Sequence, residues 1–179
     1  MRVISGIYKG RQLKGYTLKG TRPTMDRVKE SLFDILGDKV EGRVCLDLFA
    51  GSGNLGIEAL SRGAKFVYFV DREYMAYKTI KDNLFLLNIL NVEVLNMDYL
   101  KALEKLNTIR FDIIFLDPPY KSDYLEKAVR KISELTLLND KGIVVLESDD
   151  INKLYYNDYF REIVTRKYGD KYIRIIERN

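Results

Sequence analysis

The stretch Val44-Cys45-Leu46-Asp47-Leu48-Phe49-Ala50-Gly51-Ser52-Gly53-Asn54-Leu55-Gly56 decides the fold. Val44 to Leu48 is apolar except for Asp47 and reads as a buried strand. Leu55 to Leu60 opens a helix. Between them the glycines spell G-x-G-x-x-G at a strand-to-helix turn, the setting in which that motif binds nucleotides. Glycine there permits positive φ and close approach of the backbone to a ligand. The next apolar run, Phe66-Val67-Tyr68-Phe69-Val70, ends at Asp71. That acid lies twenty positions after Gly51, about where a ribose-binding carboxylate belongs. The plainer alternative is a glycine-rich turn that packs a helix on a sheet.

Asp47 bears on which nucleotide such a loop takes. A dinucleotide would lay its pyrophosphate on the helix N-terminus, and a carboxylate four residues before Gly51 would repel it. A ligand with an ammonium group and a sulfonium suits that acid better, and S-adenosylmethionine carries both. A loop-bracing or helix-capping acid is the alternative for Asp47.

A second constellation lies downstream. The run Phe111-Asp112-Ile113-Ile114-Phe115-Leu116 reads as a buried parallel strand and is followed by Asp117-Pro118-Pro119-Tyr120. Neither proline can donate a ladder hydrogen bond, so the strand stops. The chain then leaves the sheet at a strand's C-terminal end, where α/β proteins bind ligands. A carboxylate, a stiff backbone and an aromatic ring suit a planar amine: acceptors for its N–H groups and a ring to stack on its base. A strand-ending turn with a buried tyrosine is the alternative.

The rest of the chain alternates strand and helix. Met25, Val28, Leu32, Ile35 and Leu36 repeat at helical spacing, with Thr24 as N-cap, Gly37 as the stop, and Arg27 and Lys29 facing out. Glu73 to Asn88 is a helix whose Tyr74, Tyr77, Ile80, Leu84 and Leu87 share a packing face. Val92 to Asn96 is a strand ending at Met97-Asp98, and Asp98 suits a helix N-cap or, through the local backbone, an adenine contact. Tyr99 to Lys105 and Tyr124 to Leu135 are helices, and Gly142 to Glu147 is a strand followed by the surface acids Glu147 and Asp149. Tyr159 to Tyr168 and Lys171 to Ile176 are joined at Gly169-Asp170, too close for a helical crossover, so they pair antiparallel. The expectation is an α/β fold with a mostly parallel seven-stranded sheet, one antiparallel strand and helices on both faces.

Composition narrows the function. The 179 residues describe one domain, with 46% hydrophobic and 31% charged residues. No apolar stretch suits a membrane span or a signal peptide. The single Cys45 rules out an internal disulfide and fits a reducing cytoplasm. With no histidine, Ser-His-Asp and Cys-His chemistry and most catalytic zinc sites are excluded, and no metal is expected. The net charge is +4, yet residues 1–25 hold six of the thirty cations and no acid, leaving 24 cations against 26 acids elsewhere. Lys9, Arg11, Lys14 and Arg22 belong to that set, with Tyr8 and Tyr16 interleaved. Gly6, Gly10 and Gly15 punctuate it, so residues 1–20 read as a basic β-hairpin extension, either a nucleic-acid footprint or a solvated hairpin.

Asp-x-Phe-Ala-Gly-x-Gly at Asp47 followed by Asp-Pro-Pro-Tyr at Asp117 resembles the amino-group methyltransferases of the Rossmann-like class. Arg2-Val3-Ile4-Ser5-Gly6, Tyr8-Lys9-Gly10-Arg11, Arg22-Pro23-Thr24, Asp26-Arg27-Val28-Lys29-Glu30 and Lys167-Tyr168-Gly169 narrow the resemblance. They are similar to the bacterial family that methylates the exocyclic N2 of a guanine in 16S ribosomal RNA. Asn54 and Met25 depart from that family's pattern. The resemblance implies S-adenosylmethionine as cofactor, held by Asp47, Phe49, Gly51, Gly53, Asp71 and Asp98. It implies an acceptor site at Asp117, Pro118 and Tyr120, and ribosomal RNA or the small subunit as partner, bound through Lys9, Arg11, Lys14 and Arg22. A monomer is expected. A DNA adenine-N6 methyltransferase, a nucleotide-dependent dehydrogenase and a non-catalytic RNA-binding module are the competing readings.

Overall fold

The structure is a computed structural model and describes residues 1–16, 26–120 and 123–179. Seven strands form one sheet: β1 (Val44–Asp47), β2 (Phe66–Asp71), β3 (Val92–Asn96), β4 (Phe111–Leu116), β5 (Leu138–Ser148), β6 (Phe160–Tyr168) and β7 (Lys171–Arg178). Their order is β3-β2-β1-β4-β5-β7-β6. The first five are parallel, and β7 runs antiparallel to both of its neighbours, β5 and β6. This is the expected Rossmann-like, mostly parallel sheet, with the single reversed strand that the short Gly169-Asp170 link requires. β5 starts four residues earlier than the glycine at 142 suggests, because Leu138 already aligns with Phe111.

Strand periodicity divides the core. Cys45, Val67, Phe69, Ile113, Phe115, Ile143 and Val145 point to one face, under α1 (Asp26–Leu36), α2 (Asn54–Ser61) and α3 (Tyr74–Leu86). Their alternate neighbours Leu46, Val70, Ile114, Leu116, Val144 and Leu146 point to the other, under α4 (Tyr99–Lys105) and α5 (Tyr124–Glu134). Both faces are therefore dry, as a parallel sheet demands.

The opening segment departs from the expected hairpin. Within residues 1–16 it makes one isolated antiparallel bridge, Arg2 with Gln12, and neither arm is a strand. The physical reason is competition from α2. Ile4 and Ser5 donate their amides to the Glu58 carboxylate at 2.9 and 3.1 Å, and Ile7 and Tyr8 donate theirs to Ser61. At Gly6, φ is +85° and a Cβ would lie 1.9 Å from the Ser61 carbonyl oxygen, so only glycine brings the segment this close. Thr24 and Met25, and residues 17–20 of the expected hairpin, lie outside the described residues.

Lys29 also corrects the sequence reading, because it is fully buried rather than outward-facing. Its ammonium donates to the Arg2 carbonyl at 2.6 Å and to Asn54 Oδ1 at 2.7 Å, and lies 3.4 Å from Glu58. A buried charge needs such partners. Asn54, unusual for its position, is thereby one of the anchors of this lysine. On α3 the buried face is Ala76, Ile80, Asn83 and Leu84, whereas Tyr74 is largely exposed and meets the Tyr77 ring.

Candidate functional site

The strand order reverses direction at β1, which sits between β2 and β4. In open α/β sheets a crevice forms at that switch, outside the carboxyl ends of the strands. A pocket lies there, and its walls include the residues that follow β1, β2 and β4. Asp47, Phe49 and Gly51 line it from the first loop, Asp71 from the end of β2, and Asp117, Pro118, Pro119 and Tyr120 from the turn after β4. Two motifs seventy residues apart in sequence thus share one cavity.

The glycines of the first loop have separate tasks. Gly51 has φ +57°, and a Cβ there would meet nothing within 4 Å. It bends the chain and leaves the cavity open. Gly53 has φ +84° at the N-cap of α2 and shapes the turn from outside the pocket lining. Gly56 is a packing glycine: a Cβ would lie 2.3 Å from the Phe69 ring.

Asp47 is buried and its Oδ2 accepts the Gly56 amide at 3.0 Å. It therefore braces the first turn of α2 and also borders the pocket. Burial pushes its carboxyl up to about 7; the Gly56 amide works against that shift and the nearby Asp71 adds to it. An acid at the α2 N-terminus disfavours a pyrophosphate there. Asp71 accepts the Gly51 amide on Oδ2 and the Glu73 amide on Oδ1, each at 2.9 Å. Burial raises its pKa against the pull of those two amides.

Asp98 is a helix cap. Its Oδ1 accepts from Leu100 and Lys101 at 2.9 and 3.2 Å, and the adjoining Met97 faces the pocket. Three rings that spacing did not single out together complete that side. Phe49 and Tyr124 are parallel at 5.9 Å, and Tyr99 meets each of them at 5.0 Å. Tyr99 and Tyr124 open α4 and α5, so only the tertiary fold joins them to Phe49.

The turn of residues 117–120 is held by two lysines. Lys153 donates to the Tyr120 carbonyl oxygen. Lys171 lies 5.5 Å from the centre of the Tyr120 ring, and its ammonium donates to Glu147 Oε1 at 2.7 Å. Glu147 is buried rather than a surface acid, because Lys171 neutralises it. Burial raises the Tyr120 phenol, and Lys171 opposes that rise.

Of the expected RNA contacts, Lys9, Arg11 and Lys14 are exposed, and Arg22 lies outside the described residues. Arg11 donates to the Leu86 carbonyl and Lys14 pairs with Asp82 at 3.4 Å, so the segment rests on α3. Tyr8 packs on the core, and Tyr16 lines the cofactor-side pocket near Asp71 and Glu73. Neither ring is a free stacking platform. Among the described residues no helix is long and apolar enough to cross a membrane.

Comparison with known proteins agrees with this geometry. A Bacillus subtilis protein, YlbH, which carries a provisional name as an rRNA methyltransferase, is 47% identical over 152 residues, covering 83% of each chain. The Haemophilus influenzae protein named ribosomal RNA small subunit methyltransferase D is 39% identical over 154 residues, covering 83% of this chain and 79% of its own. The solved structure of Escherichia coli yhhF, provisionally named a methyltransferase, superposes with a TM-score of 0.88 at 29% identity, covering 100% and 98% of the two chains. The model of the family described as Conserved hypothetical protein 95 matches residues 1–177, and the chain belongs to that family.

Proposed function

We propose that this protein transfers a methyl group from S-adenosylmethionine to the exocyclic N2 amine of a guanine in small-subunit ribosomal RNA. The observation that carries the reading is that Asp71, Asp117 and the open face of Gly51 border one cavity. The cavity fits this cofactor. Asp71 stands where ribose hydroxyls donate, Asp47 borders the space for an ammonium group, and Phe49, Tyr99, Tyr124 and Met97 offer an apolar wall for adenine.

The bound cofactor supplies an electrophilic methyl carbon on sulfonium, which needs no acid to leave. The chain's own groups do the rest. A guanine N2 is a poor nucleophile because its lone pair is delocalised into the ring. Asp117 and the Pro118 carbonyl accept its N–H groups, which raises electron density on nitrogen and favours the pyramidal geometry of attack. Tyr120 stacks on the base, a contact worth about 1–3 kcal/mol. The base is unstacked from RNA to enter the turn. Catalysis is then mainly positioning for in-line displacement. Once the C–N bond has formed, one proton leaves the nitrogen for Asp117 or water. The guanine target is supported by the resemblance of the opening segment, Arg2 to Arg11, and small-subunit ribosomal RNA by the names that the relatives bear.

Labelled S-adenosylmethionine incubated with small subunits, free ribosomal RNA or duplex DNA tests the reading. Label in 2-methylguanine of RNA is expected; label in DNA N6-methyladenine, or in neither, overturns it.

A further inference from the structure

The pairing of β4 with β5 aligns Leu116 with Leu146, so the next residues, Asp117 and Glu147, stand side by side at the sheet's edge. β7 lies beyond, with Ile173 aligned to Glu147, and Lys171 begins it. The Lys171 and Glu147 side chains are only 6% and 3% exposed. Desolvating two charges is costly, and an apolar pair would hold these strands at least as well. The place of the pair is therefore informative. It sits directly under the turn that the reading above assigns to the acceptor base.

We propose that Lys171 is a positioning residue of the methyl-transfer site. Its ammonium, anchored on Glu147, holds the Tyr120 ring and the Asp117 carboxylate in the arrangement that receives the base. The inference rests on the Asp117 reading given above. Three observations carry it. The ammonium reaches the Tyr120 ring at 5.5 Å, a cation–π distance. It is also a hydrogen-bonding partner of the Tyr120 phenol and acts electrostatically on Asp117. From the other side, Lys153 holds the Tyr120 carbonyl and approaches Asp149 at 3.9 Å. One lysine fixes the backbone of the turn, and the other fixes its ring and its acid.

The test compares Lys171→Met with the double variant Lys171→Met/Glu147→Leu, which replaces the ion pair by an apolar one. Single-turnover methylation of small subunits is normalised to S-adenosylmethionine sites counted by calorimetry, so a partly unfolded preparation still gives a rate per folded enzyme. The double variant is expected to melt near the parent and to bind the cofactor normally. Its methylation rate is expected to fall at least tenfold, with the Tyr120 ring displaced in its crystal structure. A double variant with the parent's rate and ring position overturns the proposal, because the pair then only holds strands together. The same normalised rate in Lys171→Met alone is read the same way. Asp117→Ala runs in parallel. If it methylates normally, the acceptor reading itself falls; if it is inactive while the double variant is normal, only the role of Lys171 falls.

Discussion

Asp71 Oδ2 accepts the backbone amide of Gly51 at 2.9 Å, so the carboxylate expected to meet the ribose also ties down the glycine loop. Its second oxygen holds the Glu73 amide at the start of α3. Removing it costs binding and local order together. Asp71→Ala leaves two amides without their acceptor, at about 1–3 kcal/mol for each one that stays buried. We expect the affinity for S-adenosylmethionine to drop at least tenfold and Tm to fall by several degrees. Asp71→Asn still accepts one amide and is expected to keep more stability than affinity. Calorimetry that finds parental affinity in a folded Asp71→Ala protein rejects the ribose assignment.

Asp47 gives a pH prediction of defined sign. Its carboxyl is near 7 in the fold against 3.8 for the free group, so the native state holds an extra proton between those values. Stability therefore falls as pH rises from about 4 to about 7. A pKa displaced by about three pH units sets an upper bound of about 4 kcal/mol for the effect. Asp47→Asn keeps an oxygen for the Gly56 amide and removes the charge. Its melting temperature is expected to vary less over this range and to exceed the parent's at pH ~8, above the folded-state pKa. An unchanged slope in the variant means that Asp47 is ionised throughout.

The sheet was legible because its signals are local. Val44 to Asp47, Phe111 to Leu116 and the Gly169-Asp170 turn each announce a strand, or its reversal, within a few residues. The glycine loop and Asp-Pro-Pro-Tyr were legible for the same reason. What sequence did not reveal depends on partners distant in the chain. Lys29 looked solvated because its acceptors, the Arg2 carbonyl, Asn54 and Glu58, come from two other segments. Glu147 looked like a surface acid because its cation lies 24 residues away on an antiparallel strand. The opening segment looked like a hairpin because its glycines mark turns, while the amides of Ile4, Ser5, Ile7 and Tyr8 are taken up by Glu58 and Ser61. Periodicity reports how a residue faces its own element, and these residues are settled by another one.

The opening segment's role in RNA binding is best probed at Lys9. Arg11 and Lys14 already touch Leu86 and Asp82, so part of their effect is on the segment's seat against α3. Lys9→Glu is expected to raise the Michaelis constant for RNA and to reduce the log–log salt slope by about 0.7–0.9 for each phosphate no longer neutralised. The triple reversal with Arg11 and Lys14 is expected to go further, with cofactor affinity close to the parent's. An unmoved salt slope in the triple variant would assign the patch to solvation alone.

Asp117 and Tyr120 are the sharpest test of the acceptor site. Asp117 borders the same cavity as Asp71 and Gly51, while the Gly51 and Gly56 amides are held by Asp71 and Asp47. Asp117→Ala is therefore expected to bind S-adenosylmethionine normally and to lose methyl transfer by a factor of about 100 or more, the scale of a positioned acceptor that also takes a proton. Asp117→Asn separates two ways of acting. If accepting the amine's N–H is the main task, the amide oxygen still serves and Asn is milder than Ala. If the charge is needed to draw the proton after transfer, Asn is as damaging as Ala. Tyr120 divides in the same manner. Tyr120→Phe keeps the ring but loses the hydroxyl's link to Lys171, so substantial activity with a modest loss is expected. Tyr120→Ala loses the stacking face, at about 1–3 kcal/mol, and is expected to fail in RNA turnover. A folded, cofactor-bound Asp117→Ala enzyme with near-normal single-turnover methylation would make the turn a structural end of β4 and place amine activation elsewhere in the cavity.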